Sequence, residues 1–390
     1  MPDEPRSAVD PPLERMRQLD GLRAVAVGMV LYAHYLGAWT LGLPLGRGGV
    51  LLFFVLSGFL ITGILLRCRD YVVQGRQPAG STLRQFYARR FLRIFPLFYA
   101  ALLVTAVVDI PPVRRTLLWH VFYLSNVYVA KRGDWITTVS HFWSLAVEEQ
   151  FYLVWPCCVL FLSPRVLGRI VVGVIVAAPA LRAAGIALGM PVLSVRVLTP
   201  GCMDLLGFGA LLALLATPDA RPRPLAVLLS PVAGVTALAL ATAAVAGASE
   251  PETRAIWLDS ALGVLAFWVV GRAATGFRGL AGRVLASAPA IALGRISYGI
   301  YILHPLTPKL LGKLGFALEA GGPAAHALPT AAILTVTTIA LAALSWRYYE
   351  APLNALKRRY PYRLVSHPIP TIPLGRFDLA RAPDAEGRSS

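Results

Sequence analysis

The chain has 390 residues, of which 56% are hydrophobic and 15% charged, with 37 Lys and Arg against 20 Asp and Glu. This composition excludes a disordered chain, which is poor in apolar residues, and an ordinary soluble enzyme, whose surface needs more charge. It predicts an integral membrane protein. The formal net charge of +17 is spread over short basic clusters between apolar stretches, which argues against nucleic-acid binding and fits the loops of a membrane protein.

Apolar stretches long enough to cross a bilayer recur along the chain, because a membrane helix needs about 20 mostly apolar residues. We expect about ten transmembrane helices, near 24–43, 49–66, 94–110, 142–162, 166–188, 197–216, 225–247, 255–271, 284–306 and 327–346. Basic residues concentrate in alternate loops, which places both termini in the cytoplasm. The sequence therefore predicts an all-α polytopic bundle over 19–352, between disordered cytoplasmic tails at 1–18 and 353–390.

Two ionisable residues lie in the first predicted span, where charge is costly and usually functional. Arg23 and His34 are 11 residues apart, so they share one helix face and lie about 16 Å apart along its axis. Arg23 would offer a fixed cation for a phosphate, and His34 a group that takes up a proton near neutral pH. In the alternative, Arg23 only extends to the membrane surface and His34 pairs with a neighbour.

Arginines open the third predicted span, in the segment FYARRFLRIFPLFY. Arg90 and Arg93 are three residues apart, so both can point at one anionic ligand. Anchoring of the helix at the cytoplasmic surface would explain them equally well.

The fourth span, HFWSLAVEEQFYLVWP, holds two adjacent acids with no basic residue within a turn. Ser144, Glu148 and Tyr152 recur every four residues and therefore share one helix face. Glu148 could stay neutral and donate a hydrogen bond or, if ionised, orient an imidazole. We expect one acid to be functional and the other, Glu149, to lie near the membrane interface.

The late segment LGRISYGIYILHPL places Tyr298, Tyr301 and His304 on one arc of a helix, although tyrosines here also fit an aromatic belt. His120 and His141 lie near predicted outer loops, and we expect them at the surface. The chain has no P-loop, serine-hydrolase elbow or zinc-protease motif, and no cysteines at metal-ligand spacing. No metal site is expected.

Four of these segments, taken together, resemble the acyltransferase-3 family of membrane O-acyltransferases, from about 19 to 352. The run GGVLLFFVLSGFLITGILL at 48–66 is similar to the family's second helix, and SYGIYILHP loosely resembles its late Y-x-x-x-L-x-H pattern. The motif residues are Arg23 and His34 (R-x10-H), Arg90 and Arg93 (R-x-x-R), and Ser144, Glu148, Phe151 and Tyr152 (S-L-x-x-E-x-x-F-Y).

This resemblance implies acyl transfer from cytoplasmic acyl-CoA to a hydroxyl of an acceptor, in a multi-pass protein of the bacterial plasma membrane and without a bound cofactor. The resembled members that consist of the membrane domain alone include macrolide acyltransferases of antibiotic pathways. The high Ala, Gly, Arg and Pro content suggests a high-GC coding sequence, and with that resemblance it favours a macrolide-type acceptor in antibiotic biosynthesis. A cell-surface polysaccharide or lipid-linked sugar is the alternative acceptor. A proton-coupled transporter or flippase is the alternative of another class.

In the expected mechanism, Arg90 and Arg93, with Arg23, bind the phosphates of acyl-CoA. His34 acts as general base on the acceptor hydroxyl, and Glu148 orients His34 or stabilises its charged form. An acyl-His34 intermediate is the alternative. The residues expected to support this site are Ser144, Tyr152, Tyr298, Tyr301 and His304.

Overall fold

The computed structural model describes residues 17–108, 110, 113–217, 222–247, 250–316, 318 and 324–362, and the regular elements within them are all helical. The predicted all-α class is confirmed. The predicted count of ten spans is not confirmed, because some predicted spans are shorter helices, such as Thr199–Leu215 and Pro231–Gly247. The helices long and apolar enough to cross a membrane number five among the described residues, or six if a bent pair (Gly279–Leu285 and Ala288–Leu303) is one span; the five are Leu45–Val73, Ala79–Val107, Pro164–Ala187, Pro251–Thr275 and Leu328–Arg359.

The helices follow one another with short connections. The first part of the chain forms α1 (Arg17–Tyr35), α2 (Leu45–Val73), α3 (Ala79–Val107), α4 (Val113–Val121), α5 (Ser125–Arg132), α6 (Phe142–Phe161), α7 (Pro164–Ala187), α8 (Val192–Val197) and α9 (Met203–Leu215). The second part forms α10 (Pro222–Leu228), α11 (Pro231–Gly247), α12 (Pro251–Thr253), α13 (Asp259–Thr275), α14 (Gly279–Leu285), α15 (Ala288–Leu303), α16 (Leu306–Lys313), α17 (Ala324–Ser345) and α18 (Ala351–Ala355). Single π-helical turns join α12 to α13 and α17 to α18, and a 3₁₀ turn, Leu356–Arg359, follows α18.

Glycines bring α2 and α9 into backbone contact. A Cβ atom added at Gly58 would lie 2.1 Å from the carbonyl oxygen of Leu206, and one at Gly209 would lie 2.1 Å from that of Val55. Membrane helices often use small residues in this way. Because the hydrophobic effect does not drive helices together in lipid, van der Waals contact between closely packed backbones stabilises their association. The contact holds one side of α2 against α9, while Ser57 on α2 hydrogen bonds to Tyr152 on α6.

A second close contact joins α1 to α14 and α15. A Cβ atom at Gly21 would lie 2.0 Å from the carbonyl oxygen of Leu285, and one at Gly294 would lie 1.8 Å from that of Asp20. Arg23 is therefore held on a helix whose position is fixed by backbone packing.

Buried ion pairs tie further helices together. Arg182 on α7 pairs with Asp204 on α9 at 2.9 Å, and both side chains are fully buried. Asp259 on α13 accepts from Arg47 at 2.5 Å and from Arg196 at 2.8 Å. Removing one partner of such a pair would leave an uncompensated buried charge, which is strongly destabilising.

The expected start of a disordered tail at 353 is corrected by the structure, which continues in helical form through Arg359. Arg89 on α3 donates to the carbonyl oxygens of Lys357 and Tyr360, both at 3.1 Å, and its guanidinium lies 4.5 Å from the ring centre of Tyr362. These hydrogen bonds satisfy the backbone carbonyls of Lys357 and Tyr360, in a segment that composition predicted to be disordered. Residues 1–16 and 363–390, the remainder of both predicted tails, lie outside the described residues.

Candidate active site

A small cavity of about 120 Å³ lies between α1, α2, α3, α6 and α15. We call it the carboxylate cavity, because two adjacent glutamates of α6 are part of its wall. Apolar residues of α2, including Phe53 and Leu60, form much of the remaining lining. The polar lining residues are Arg23, Ser57, Arg90, Arg93, Ser144, Glu148, Glu149, Tyr152, Ser297, Tyr298 and Tyr301.

A larger cavity of about 1110 Å³, the arginine cavity, adjoins the first. Its acidic lining residues are Asp20 and Asp70, which are far outnumbered by cations. The basic lining residues are Arg23, Arg67, Arg69, Arg89, Arg90, Arg93, Arg295, Lys357 and Arg358. Such a site has the charge and the donor groups to bind a polyanion.

Three arginines belong to both cavities and form the neck between them: Arg23, Arg90 and Arg93. The guanidinium of Arg90 lies 5.2 Å from the ring centre of Tyr152, and that of Arg93 lies 5.1 Å from the ring centre of Trp346. Within the described part of the chain, neither Arg90 nor Arg93 has a carboxylate at ion-pair distance. Aromatic rings therefore position these two cations without a direct ion pair.

Glu148 lies at the centre of a hydrogen-bonded cluster beside the neck. The hydroxyl of Tyr152 donates to Glu148 Oε1 at 3.2 Å, and the hydroxyls of Tyr152 and Ser57 are hydrogen bonded to each other. Glu149 lines the same cavity rather than lying apart from it, and its Oε1 is buried with no hydrogen-bond partner among the described residues. The expectation that only one acid faces the site is therefore wrong.

The opposite end of the carboxylate cavity is closed by Tyr301. Its hydroxyl is 2.6 Å from that of Ser144 and donates to the carbonyl oxygen of His141 at 3.2 Å. Behind Tyr301, the His304 ring lies 5.6 Å from the tyrosine ring and 4.7 Å from the ring of His34. Tyr298 lines the cavity wall and donates from its hydroxyl to the carbonyl oxygen of Ile94 at 2.7 Å.

The expected contact between Glu148 and His34 is corrected by this arrangement. His34 is exposed, does not line the carboxylate cavity, and has its Nδ1 2.9 Å from the carbonyl oxygen of Val30. His34 lies about 16 Å along α1 from Arg23 in the neck, whereas Glu148 lies beside the neck. The two residues therefore belong to opposite ends of the site.

His120 and His141 are buried, so the expectation that both lie at the surface is wrong. Burial lowers the pKa of His120 to about 4 and that of His141 to about 3. The His141 ring lies 5.3 Å from the ring of His304. Because desolvation disfavours the charged imidazole, both residues are neutral at physiological pH.

Ser57 and most of the cations in the arginine cavity were missed by sequence reasoning. The sequence could have indicated Ser57, because this polar residue interrupts the apolar run at 48–66. The further cations carry no such signal, because basic residues near the ends of membrane helices look alike in sequence whether or not they line a site. Those cations are Arg67, Arg69, Arg89, Arg295, Lys357 and Arg358.

Helices of the membrane-spanning type thus surround a buried polar cavity and a larger cavity rich in cations, which is the architecture of an integral membrane protein. The acyltransferase-3 family, described as an acyltransferase domain, matches residues 16–347. The chain belongs to this family and carries its acyltransferase domain.

Two bacterial relatives illustrate the similarity. Over 174 residues the chain is 36% identical to the peptidoglycan O-acetyltransferase OatA of Listeria monocytogenes, a match that covers 40% of this chain and 26% of that protein. Over 161 residues it is 37% identical to the O-acetyltransferase OatA of Staphylococcus aureus, covering 38% and 25% respectively. The match thus spans about a quarter of the length of these relatives. No solved structure matches the chain.

Proposed function

We propose that this enzyme transfers an acyl group, such as acetyl, from acyl-CoA to a hydroxyl of a cell-envelope polysaccharide or of its lipid-linked precursor. The observation that carries the proposal is the continuity of the arginine cavity with the carboxylate cavity through Arg23, Arg90 and Arg93. A polyanionic donor can bind in the arginine cavity while its reactive end enters the carboxylate cavity.

The proposed acceptor differs from the macrolide that composition favoured. Both relatives are named as O-acetyltransferases, and one is named for peptidoglycan, which supports a glycan. The content of Ala, Gly, Arg and Pro follows coding bias and carries no chemical information about an acceptor. A polysaccharide hydroxyl is therefore the better proposal.

The proposed donor site is the arginine cavity. The phosphates of CoA suit guanidinium groups, which bind them through paired N–H donors. Clusters of basic residues are typical of the cytoplasmic side of bacterial membrane proteins, so we propose that this cavity opens to the cytoplasm of a multi-pass plasma-membrane protein. No resident cofactor is part of the proposal; acyl-CoA acts as co-substrate.

His34 is the proposed general base at the acceptor end. Its distance of about 16 Å along α1 from Arg23 is comparable to the length of an extended pantetheine arm, so a donor held by its phosphates can present its thioester beyond the neck. His34 takes the proton of the acceptor hydroxyl, whose oxygen bonds to the thioester carbonyl carbon. The carbon–sulfur bond breaks, and the thiolate leaves as CoA and takes up a proton.

Tyr301 and Ser144 are proposed to stabilise the oxyanion that forms on the thioester carbonyl, by rotating their hydroxyl protons onto it from the carbonyl oxygen of His141. Glu148 and Tyr152 act on the donor side in this scheme, and His304 supports the ring of His34. Tyr298 contributes cavity wall.

The test of the donor site is the double variant Arg90→Ala/Arg93→Ala in the full chain, reconstituted in nanodiscs. We expect the KM for acetyl-CoA to rise at least tenfold, because two phosphate-binding groups are lost, while kcat falls less. Free thiol is measured with a lipid-linked disaccharide, a glycan fragment or a macrolide as acceptor.

Arg169→Ala is the matched control, since Arg169 is an exposed arginine of α7 that lines neither the carboxylate cavity nor the arginine cavity. An unchanged KM in the double variant would refute the donor site and leave the arginines as membrane anchors. Thiol release only with the macrolide would refute the glycan acceptor. Absence of thiol release with every acceptor would refute the acyltransfer scheme.

A further inference from the structure

The carboxylate cavity has a polar centre between apolar stretches of wall. Ser57, Tyr152 and Glu148 form one hydrogen-bonded cluster there. On α2, Phe53 lies one turn before Ser57 and Leu60 lies one turn after it, and both line the cavity. A ligand that passes along this wall meets hydrogen-bonding groups at the level of Ser57 and apolar side chains on either side.

This polar centre lies on the path between the two ends of the proposed site. Arg90 in the neck stacks on Tyr152, so the cluster begins directly beyond the neck. Tyr301 and Ser144 mark the far end, because Ser144 precedes Glu148 by one turn of α6. A donor whose phosphates occupy the arginine cavity must therefore pass Ser57 before its thioester reaches Tyr301.

The chemistry of the cluster matches the part of acyl-CoA that would lie there. The pantetheine arm is a flexible chain with two amides and one hydroxyl. A carboxylate accepts from an amide N–H, and a serine hydroxyl can donate to an amide carbonyl or accept from its N–H. An amide buried among apolar side chains without a partner is unfavourable, so a narrow channel for this arm needs polar groups.

We propose that the carboxylate cavity is the channel for the pantetheine arm of the donor and that Ser57, together with Glu148 and Tyr152, binds an amide of that arm. The inference rests on the proposed function and adds a specificity determinant to it. The cluster selects thioesters that carry a full pantetheine arm. It discriminates against short donors such as S-acetyl-N-acetylcysteamine, which cannot reach from the arginine cavity to Tyr301.

The test uses two variants of the full chain in nanodiscs. Ser57→Ala removes the hydroxyl, and we expect a three- to tenfold higher KM for acetyl-CoA with kcat within twofold of wild type. Ser57→Met fills the channel, and we expect transfer from acetyl-CoA to fall at least 100-fold. Binding of adenosine 3′,5′-bisphosphate, the nucleotide part of CoA without the arm, stays unchanged in Ser57→Met and shows that the protein is folded.

Leu52→Met is the matched control, because Leu52 is a buried α2 residue that lines neither the carboxylate cavity nor the arginine cavity. It keeps the wild-type KM and kcat. A second readout is donor preference: wild type should prefer acetyl-CoA over S-acetyl-N-acetylcysteamine by a larger factor than Ser57→Ala does.

Two results would overturn the channel. One is a wild-type KM in both Ser57 variants, which would mean that the arm does not pass Ser57. The other is an acyl group found on Ser57 by peptide mass spectrometry, with Ser57→Ala lowering kcat and not KM, which would make Ser57 a nucleophile. In either case wild-type thiol release would still stand, so the proposed acyltransfer would survive; loss of wild-type release would refute both.

Discussion

The polar side chains of the site follow one another in order along the bundle. Arg23, Arg90 and Arg93 surround the neck, Glu148 lies just beyond it, and His34 lies at the far end against His304. In the proposed scheme, this order separates donor binding from acceptor activation along one line. It also separates the effects that substitutions should have, since donor-side changes act on KM and acceptor-side changes act on kcat.

At the residue scale we predict that His34→Ala abolishes acyl transfer, because the other histidines that the structure places near that end, His304 and His141, are buried and cannot reach the acceptor hydroxyl. Thiol release in nanodiscs measures the loss, and the protein stays in the membrane fraction. Acetyl-CoA binding, followed by equilibrium dialysis, stays at the wild-type level. Transfer at the wild-type rate in His34→Ala would remove this residue from the mechanism.

At the scale of helices, glycine contacts decide where the site lies. The α2–α9 contact at Gly58 and the α1–α15 contact at Gly294 each leave no room for a Cβ atom. Because α2 carries Ser57 and α1 carries Arg23, the geometry of the site depends on backbone packing on the sides of these helices that face away from it.

Gly58→Ala should lower the free energy of unfolding by about 1–3 kcal/mol, the usual effect of overpacking a tight contact. Thermal unfolding in detergent, followed by tryptophan fluorescence, measures this as a lower Tm. Gly63→Ala on the same helix is the control, since nothing lies within 4 Å of the position its Cβ would take. Equal Tm values for the two variants would show that α2 and α9 can move apart at this position without loss of stability.

Sequence patterns along single helices predicted much of the site. The spacing of Ser144, Glu148 and Tyr152 placed them on one face of α6, and the structure has all three in the carboxylate cavity. Contacts between helices could not be predicted, because helical periodicity says nothing about which helix lies opposite. The separation of His34 from Glu148 and the burial of His141 both follow from such contacts.

At the scale of the whole molecule, the described bundle buries two neutral histidines, His120 and His141, outside its long apolar helices. Their folded-state pKa values of about 4 and 3 are depressed by burial below the ordinary value near 6.5. The unfolded chain therefore binds more protons than the folded chain as the pH falls below about 6.5.

We predict that each of these two histidines lowers the free energy of unfolding by about 1.4 kcal/mol per pH unit as the pH falls from about 6.5 to 4. His120→Gln should reduce the slope, because it removes one of the two groups. Urea titrations of detergent-solubilised protein at several pH values measure the free energy of unfolding and its slope with pH. A slope equal to that of wild type in His120→Gln would contradict the assignment of a buried neutral imidazole.

The hook formed by residues 356–362 completes the wall of the arginine cavity, since it supplies Lys357 and Arg358 and is held by Arg89. Truncated or tagged versions of the chain should therefore keep residues 356–362 intact. A chain cut before Tyr362, or a fluorescent fusion attached within the hook, would open the wall of the arginine cavity and, in the proposed scheme, weaken binding of the donor nucleotide even though every motif residue stayed intact. A purification handle placed well after Tyr362 avoids that artefact.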